Sequence, residues 1–346
     1  VRVLVAMSGG VDSAVAAALL AESGHDVVGA TMKLWGGEGD SGCCSVRDVT
    51  DARRVADRLG IDHRVFNFTT EFDDAVVAPY VEDHRVGRTP NPCVACNNEL
   101  KFGVFLDRAL RLGFDAIATG HHARVTDDGS GGVALLRGRD RSKDQSYVLA
   151  GLGARALSRL LLPIGELEKS AVRALAEAHR LGVADKPDSQ DVCFIASHTP
   201  GLGRSSFLAE RIELHSGEVV DEDGAHLGEV PAVELVTLGQ RRGLGGEGGG
   251  ARRYAVAVDV GARRVVLGPP EHLLTAEVPL SGRTWTGRPL PVGTPVEIQT
   301  SAHAAPVPGR ISASGVAYLA PGPRVAPGQI VACYQGDVVV GSGVAA

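Results

Sequence analysis

The sequence predicts an α/β protein: a doubly wound parallel sheet, followed by a small central β-rich domain and a C-terminal β-barrel. Three observations carry that expectation. Through the first half of the 346 residues, short apolar runs alternate with stripes at helical spacing. Such alternation implies a parallel sheet with helices on both faces. Beyond about residue 200 the helical periodicity gives way to short alternating runs rich in Gly, Pro and Val, and the last of these are spaced as strands of a small barrel. Boundaries near residues 200 and 275 divide the chain into segments 1–200, 201–275 and 276–346.

In chain order, Val1–Met7 is an apolar run expected as the first strand. Ser8-Gly9-Gly10 ends it, and Val11, Val15, Ala18 and Leu19 then recur at helical spacing up to Ser23-Gly24. Val27–Met32 predicts the second strand. Val49, Ala52, Val55, Ala56 and Leu59 form a helical stripe closed by Gly60, and Arg64–Phe68 predicts a third strand. Phe102, Phe105, Leu106, Ala109 and Leu112 predict a helix ended by Gly113, and Ala116–Thr119 a short buried strand. The last strong helix lies in GELEKSAVRALAEAHRLG. After it, GEVVDEDGAHLGEV carries turn signals at Asp223-Gly224, and ARRYAVAVDVGARRVVLG predicts a hairpin turned at Gly261. TPVEIQTSA, GRISASGVAYL and GQIVACYQGDVVVGSG predict barrel strands, and Gly243–Gly250 a mobile loop.

Hydrophobic residues make up 44% of the chain and charged residues 22%, the balance of a globular fold. Aromatics are only 4%, which argues against stacking many bases on exposed rings. A net charge of −6 argues against a nonspecific nucleic-acid coat but leaves room for local basic patches. No apolar run approaches the roughly 18 residues of a membrane span, so no membrane contact is expected. VRVLVAMSGG lacks a signal-peptide pattern. Six cysteines in a chain this long do not make a secreted disulfide scaffold. The expected compartment is a reducing cytoplasm, where grouped cysteines point to chemistry.

AMSGGVDS, from Ala6 and Met7 through Ser8, Gly9, Gly10, Val11 and Asp12 to Ser13, joins the first strand to the first helix. Its glycines leave backbone amides unobstructed at a positive helix end, which suits phosphate. The site would lie at the carboxyl edge of a parallel sheet. The motif is neither a Walker A loop, since no Gly-Lys-Ser/Thr follows, nor G-x-G-x-x-G.

RTPNPCVACNNELKF holds Cys93 and Cys96 in C-x-x-C spacing, and Cys193 stands in KPDSQDVCFIAS. A C-x-x-C fits half a zinc site, a thiol–disulfide switch, part of an iron–sulfur site or simple packing. Zinc lacks a fourth ligand at sensible spacing, since Cys43 and Cys44 are adjacent and the histidines form no second knuckle. Cys96 precedes the predicted helix, whose amides would lower a thiol pKa. Cys43, Cys44 and Cys333 are expected to be structural, Cys333 as a small buried hydrophobe in a barrel strand.

SGGVDS resembles the loop of the PP-loop ATP pyrophosphatases, with their adenine nucleotide hydrolase-like fold. SGGVDS, GRTPNPCVACNNELKF, TGHHAR, KDQSYVL, LPIGELEKSAVR, DSQDVCFI and LGQRRGLG occur in this order between residues 8 and 245, with APGQ near the end. Together they resemble the bacterial tRNA-specific 2-thiouridylases (tRNA-uridine 2-sulfurtransferases). The resemblance implies ATP, with Mg2+, bound by residues 6–13 with Met32 and Gly120 beside the nucleotide. It implies adenylation of the C2 oxygen of the wobble uridine in tRNAs for Lys, Glu and Gln, followed by sulfur transfer and release of AMP. Cys193 matches the persulfide carrier and Cys96 its partner, the nucleophile that also forms a disulfide with it. A cysteine desulfurase or sulfur-relay protein would supply the sulfur.

The resemblance also implies tRNA contacts at Asn91, Pro92, Cys93, His121, Lys143, Asp144, Gln145 and Gln329. Chemistry at C2 requires an accessible, unstacked base. Two departures stand out. Some family members carry Asp where this chain has Cys93, which unsettles the acid/base role there and creates a Cys93, Cys96, Cys193 trio able to ligate a [4Fe–4S] cluster. QTSAHAAP replaces a basic-aromatic barrel segment of some members, so Ser301 and Ala302 cannot make its RNA contacts. Arg137, Arg139, Arg141 and Lys143 alternate in RGRDRSKDQS, so an extended segment would show all four on one side. Arg241/Arg242, Arg252/Arg253 and Arg263/Arg264 add basic pairs. The competing classes are another PP-loop ligase, which would not need Cys96 and Cys193, and a noncatalytic RNA-binding module, which leaves SGGVDS without purpose.

Overall fold

A computed structural model describes residues 1–34, 46–129, 131–188, 192–195, 203–245 and 252–346. The first sheet is parallel throughout. It comprises β1 (Arg2–Ala6), β2 (Asp26–Lys33), β3 (Asp62–Asn67), β4 (Ala116–Ala118) and, after the hairpin β5 (Ala123–Asp127) and β6 (Val133–Arg137), β7 (Leu160–Leu161). Its order is β3-β2-β1-β4-β7. The strand order therefore reverses between β1 and β4, the position where open α/β sheets bind ligands beyond their carboxyl ends.

Side-chain alternation along β1 decides which helices cover which face. Val3 and Val5 join a core with the helices Val11–Glu22, Val46–Leu59 and Lys169–Ala178. Leu4 and Ala6 face the opposite core, built from Phe68, Phe72, Leu100, Phe102, Phe105 and Leu106. The second helical layer starts earlier than the sequence stripe suggests. Asn91 caps it, accepting a bond from the Val94 amide at 3.2 Å, and Pro92 occupies the first turn. Helix Pro92–Ala95 runs into a π-helical stretch, Cys96–Phe105, and then into Leu106–Arg111. Cys96 thus lies inside a helical run and does not precede one, which corrects the helix-start expectation.

The second sheet contains β8 (Gly217–Asp221), β9 (His226–Val230), β10 (Tyr254–Asp259) and β11 (Arg264–Gly268) in the order β10-β11-β8-β9. The expected hairpins at Asp223-Gly224 and Gly261 both form. Part of the Gly243–Gly250 loop lies outside the described residues.

The remaining strands are β12 (Leu274–Trp285), β13 (Pro295–Gln299), β14 (Val307–Ile311), β15 (Gly315–Pro323), β16 (Ile330–Gln335) and β17 (Val338–Ala345). Their order β12-β15-β14-β13-β16-β17 is closed by a β17–β12 pairing into an antiparallel six-stranded barrel. Closure removes the exposed edges. The start of β17 has no β12 partner and pairs instead with β6, Val338 opposite Leu136 and Val339 opposite Leu135. The β5–β6 hairpin, from the half of the chain that holds the parallel sheet, therefore extends the barrel. Tyr147 adds a link, its hydroxyl donating to the Ile330 carbonyl at 2.7 Å. Cys333 is buried in the barrel core, and burial pushes its thiol up to about 12.

Candidate active site

The turn after β1 is shaped by Gly9 and two serines. Gly9 has φ +74° and packs against the Asp48 carbonyl, where a Cβ would have no room. The Ser8 amide donates to Ser13 Oγ at 3.2 Å, and Ser13 Oγ donates to the Gly10 carbonyl at 3.1 Å. Helix Val11–Glu22 begins at Gly10 with no side-chain cap. Its first amides therefore face the open end of the loop, and the dipole there favours an anion. Gly120, just past β4, lies so close to this turn that a Cβ would sit 2.5 Å from the Asp12 carbonyl carbon and the Ser13 nitrogen. Met7 and Val11 are buried in one core and Met32 in the opposite one, and the Met7 amide donates to the Ala30 carbonyl at 2.8 Å.

Two lysines that the sequence reading missed complete the loop. Lys169 Nζ lies 2.7 Å from both carboxylate oxygens of Asp12. Lys186 Nζ donates to the Gly9 carbonyl at 3.0 Å, to Asp48 at 2.6 Å and to Asp51 at 2.9 Å. LPIGELEKSAVR and KPDSQDVC contained both lysines, but nothing in local spacing ties them to a loop more than 150 residues away. Burial alone would raise the Asp12 carboxyl; hydrogen bonds from His122 and Lys169 outweigh it and hold the group below its usual range. Burial likewise opposes charge on Lys186, but Asp48 and Asp51 raise its pKa.

The adjacent histidines after β4 face two ways. His122 Nε2 lies 3.2 Å from Asp12 Oδ1, and its backbone amide donates to Gln145 Oε1 at 2.9 Å. His121 is buried, with Nδ1 2.7 Å from the Thr119 hydroxyl. Its ring lies 5.9 Å from that of Phe102, in the helical run that carries Cys96. Burial first, then the nearby Lys101 and His122 charges, lower its pKa well below 6.5, so the imidazole is neutral.

Cys96 is buried in the core and Cys93, one turn earlier, is half-buried. Burial is the main cause that raises the Tyr80 phenol pKa; Arg204 opposes it and Cys93 adds to it, which places Cys93 near Tyr80. Phe194 packs edge-on against Tyr80, Phe72 and Phe207 at 5.2–5.6 Å between ring centres, which anchors the half-buried Cys193 on the same aromatic cluster. The three cysteines thus belong to one region. Among the described residues no three His, Cys, Asp or Glu side chains converge as a site for a single metal ion. Cys43 and Cys44 lie outside the described residues.

The candidate RNA segment is not a flat basic strip. Arg137 is half-buried over the Tyr334 ring at 3.6 Å and pairs with Asp144 at 3.0 Å. Arg141 pairs with Asp337, and Lys143 with Asp188 at 2.8 Å. Residues 138–146 turn rather than extend, because Asp144 accepts bonds from the Gly138 and Ser146 amides at 2.9 and 3.0 Å. Of the four basic residues of this segment, Arg139, Arg141 and Lys143 are exposed. Gln329 reaches out of the barrel turn and donates to the Thr89 carbonyl at 2.6 Å, while the Thr89 amide donates to Pro327 at 2.8 Å. The APGQ turn thereby clamps the loop leading into Asn91, Pro92 and Cys93.

Residues 1–197 match the family described as tRNA methyl transferase HUP domain, and residues 280–345 that described as aminomethyltransferase beta-barrel domain. A tRNA-specific 2-thiouridylase MnmA from Chloroflexus aggregans is 44% identical, covering 99% of this chain and 97% of that protein. The protein of the same name from Beutenbergia cavernae is 44% identical over 98% and 93%, and that from Cutibacterium acnes 46% over 99% and 95%. The family descriptions speak of methyl transfer and the relatives' names of thiolation; the relatives weigh more, because they match nearly the full length of both chains. A U34-tRNA thiolase NcsA from Methanococcus maripaludis, solved with its [4Fe-4S] cluster, is 18% identical with a TM-score of 0.36, covering 61% of this chain and 63% of that one. A likeness that weak says nothing about a cluster here. On the full-length matches, the chain belongs to the tRNA-specific 2-thiouridylase family.

Proposed function

We propose that this enzyme performs ATP-dependent 2-thiolation of the wobble uridine of tRNAs for Lys, Glu and Gln. One observation carries the reading. The consecutive residues His121 and His122 join the phosphate loop, through Asp12, to the helical run of Cys96, through Phe102. An activated nucleotide and a sulfur nucleophile therefore meet on either side of one two-residue bridge.

The chemistry follows from the groups present. ATP binds with its phosphates over the amides of residues 9–13, and Mg2+ carried by those phosphates would offset part of their charge. The uridine C2 oxygen attacks the α-phosphorus and pyrophosphate leaves toward the amides and the lysines, which stabilise its charge. The poor leaving group at C2 has become AMP. The terminal sulfur of a persulfide on Cys193 then adds to C2. The Cys96 thiolate attacks the Cys193 sulfur, the S–S bond to the transferred sulfur breaks with its electron pair staying on that sulfur, and AMP departs. The enzyme is left with a Cys96–Cys193 disulfide, which an external dithiol reduces. A cysteine desulfurase or sulfur-relay protein reloads Cys193. Asn91, Pro92, Cys93, His121, Lys143, Asp144, Gln145 and Gln329 are the proposed tRNA-facing set. The half-buried Cys93 stands beside the incoming base. The compartment implied is the cytoplasm, and among the described residues no helix is long and apolar enough to cross a membrane.

The test is mass spectrometry of nucleosides from substrate tRNA incubated with ATP, sulfur donor and enzyme. Wild type is expected to convert the wobble uridine. Cys96→Ser and Cys193→Ser are each expected to lose at least about 100-fold of that activity, with tRNA affinity within about threefold of wild type. Full activity in either variant contradicts the sulfur route, and no 2-thiouridine with wild type contradicts the reading itself.

A further inference from the structure

Asp188 is not among the residues assigned to ATP, sulfur or tRNA, yet groups from two of those systems meet on its carboxylate. Oδ2 lies 2.8 Å from Lys143 Nζ, in the segment proposed to meet tRNA. Oδ1 lies 2.9 Å from Lys169 Nζ, and Lys169 also holds Asp12 in the first turn after the phosphate loop. Oδ1 is also 2.9 Å from Arg173 Nη2. Asp188 itself stands five positions before Cys193, on the segment that carries the sulfur.

The exposures differ in a telling way. The Lys143 side chain is 41% exposed and that of Asp188 34%, whereas Lys169 is only 11% exposed. The outer ion pair is therefore open to an incoming phosphodiester and the inner one is shielded from it. An exposed pair alone contributes little, but a shared carboxylate makes the pairs interdependent. Burial raises the carboxyl, the Lys143 and Lys169 hydrogen bonds and charges more than reverse this, and the group ends at about 2. It is ionised throughout the neutral range and available to whichever cations remain.

We propose that Asp188 is a positioning residue that couples tRNA docking to the ATP site. A tRNA phosphate draws Lys143 away. The carboxylate then rests on Lys169 and Arg173 alone, and Lys169 shifts its hydrogen bonding between Asp188 and Asp12. The geometry of the phosphate loop changes with tRNA bound. The coupling is reciprocal: tRNA alters ATP affinity and ATP alters tRNA affinity by the same factor. This inference rests on the function proposed above.

The experiment titrates the full chain with an ATP analogue carrying a methylene bridge between the α and β phosphates, with and without saturating substrate tRNA. Wild type is expected to show a ratio of the two dissociation constants of about fivefold or more, the lower end of ordinary allosteric coupling. Asp188→Asn is expected to reduce the ratio below about twofold, with each ligand's separate affinity within about threefold of wild type. Asp188→Glu, which keeps the charge, is expected to retain most of the ratio. Lys143→Gln, approached from the other end of the pair, is expected to lose it as well. Because tRNA is saturating, its weaker affinity in that variant does not enter the ratio. An unchanged ratio in Asp188→Asn, or in Lys143→Gln where the first variant does not fold, overturns the proposal. So does a wild-type ratio near one. If wild type binds neither ligand, the functional reading falls first and this inference falls with it; binding of both ligands without coupling overturns the inference alone.

Discussion

At the scale of single residues, His121 shows how burial sets chemistry. Its ring has lost its water and stays neutral where an exposed histidine would begin to charge. In the unfolded chain it takes up a proton near pH 6.5, whereas in the folded chain it does so only at a lower pH. Between those two values the unfolded state binds more protons. Stability therefore falls as the pH drops below about 6.5, by at most about 1.4 kcal/mol per pH unit from this group, until the folded-state pKa is reached. His63 and His84 act in the same direction, with burial as the largest cause for each. His121→Asn is expected to melt with a smaller loss of Tm between pH 7 and pH 5 than wild type. Equal losses in the two proteins contradict the assignment.

At the scale of elements, the site depends on how closely β4 approaches the first turn of helix Val11–Glu22. Gly120 allows that approach, and a methyl group there meets backbone rather than a side chain able to swing aside. Gly120→Ala is expected to push the strand end off the helix start. Loss of ATP-analogue affinity by at least about tenfold, equivalent to about 1.4 kcal/mol, is the expected reading in an equilibrium titration. Affinity within twofold of wild type means the two elements part without disturbing the phosphate loop. The clamp of Gln329 on Thr89 works in the same way from the barrel side, fixing the backbone that enters the cap at Asn91.

At the scale of the molecule, the barrel is not an appendage. Ile330, Ala332, Tyr334 and Val339 belong to the same core as Leu135, Tyr147 and Leu149. Tyr334 is fully buried, lies under the Arg137 guanidinium and shares a 3.1 Å hydrogen bond with Ser146. Tyr334→Ala is expected to cost about 3–5 kcal/mol, as for other large aromatic truncations. Urea denaturation followed by circular dichroism measures it. A loss below about 1 kcal/mol would show that the barrel and the parallel sheet are stabilised separately.

The sequence by itself predicted the first strands and helices of the parallel sheet, and it named a candidate phosphate-binding turn and candidate reactive cysteines. Each of these is local: alternation over a few residues, a glycine pair after a strand, or a motif read in one stretch. AMSGGVDS needed no partner to be recognised. Only the tertiary structure decided which distant charges complete the site. Lys169 and Lys186 reach the loop because the helix Lys169–Ala178 packs against the helix Val11–Glu22 in one core. Arg137 left the expected basic strip because β6 pairs with β17 and places it over Tyr334. Ion pairs and close packing join residues more than 100 positions apart, and no local periodicity encodes a partner at that separation.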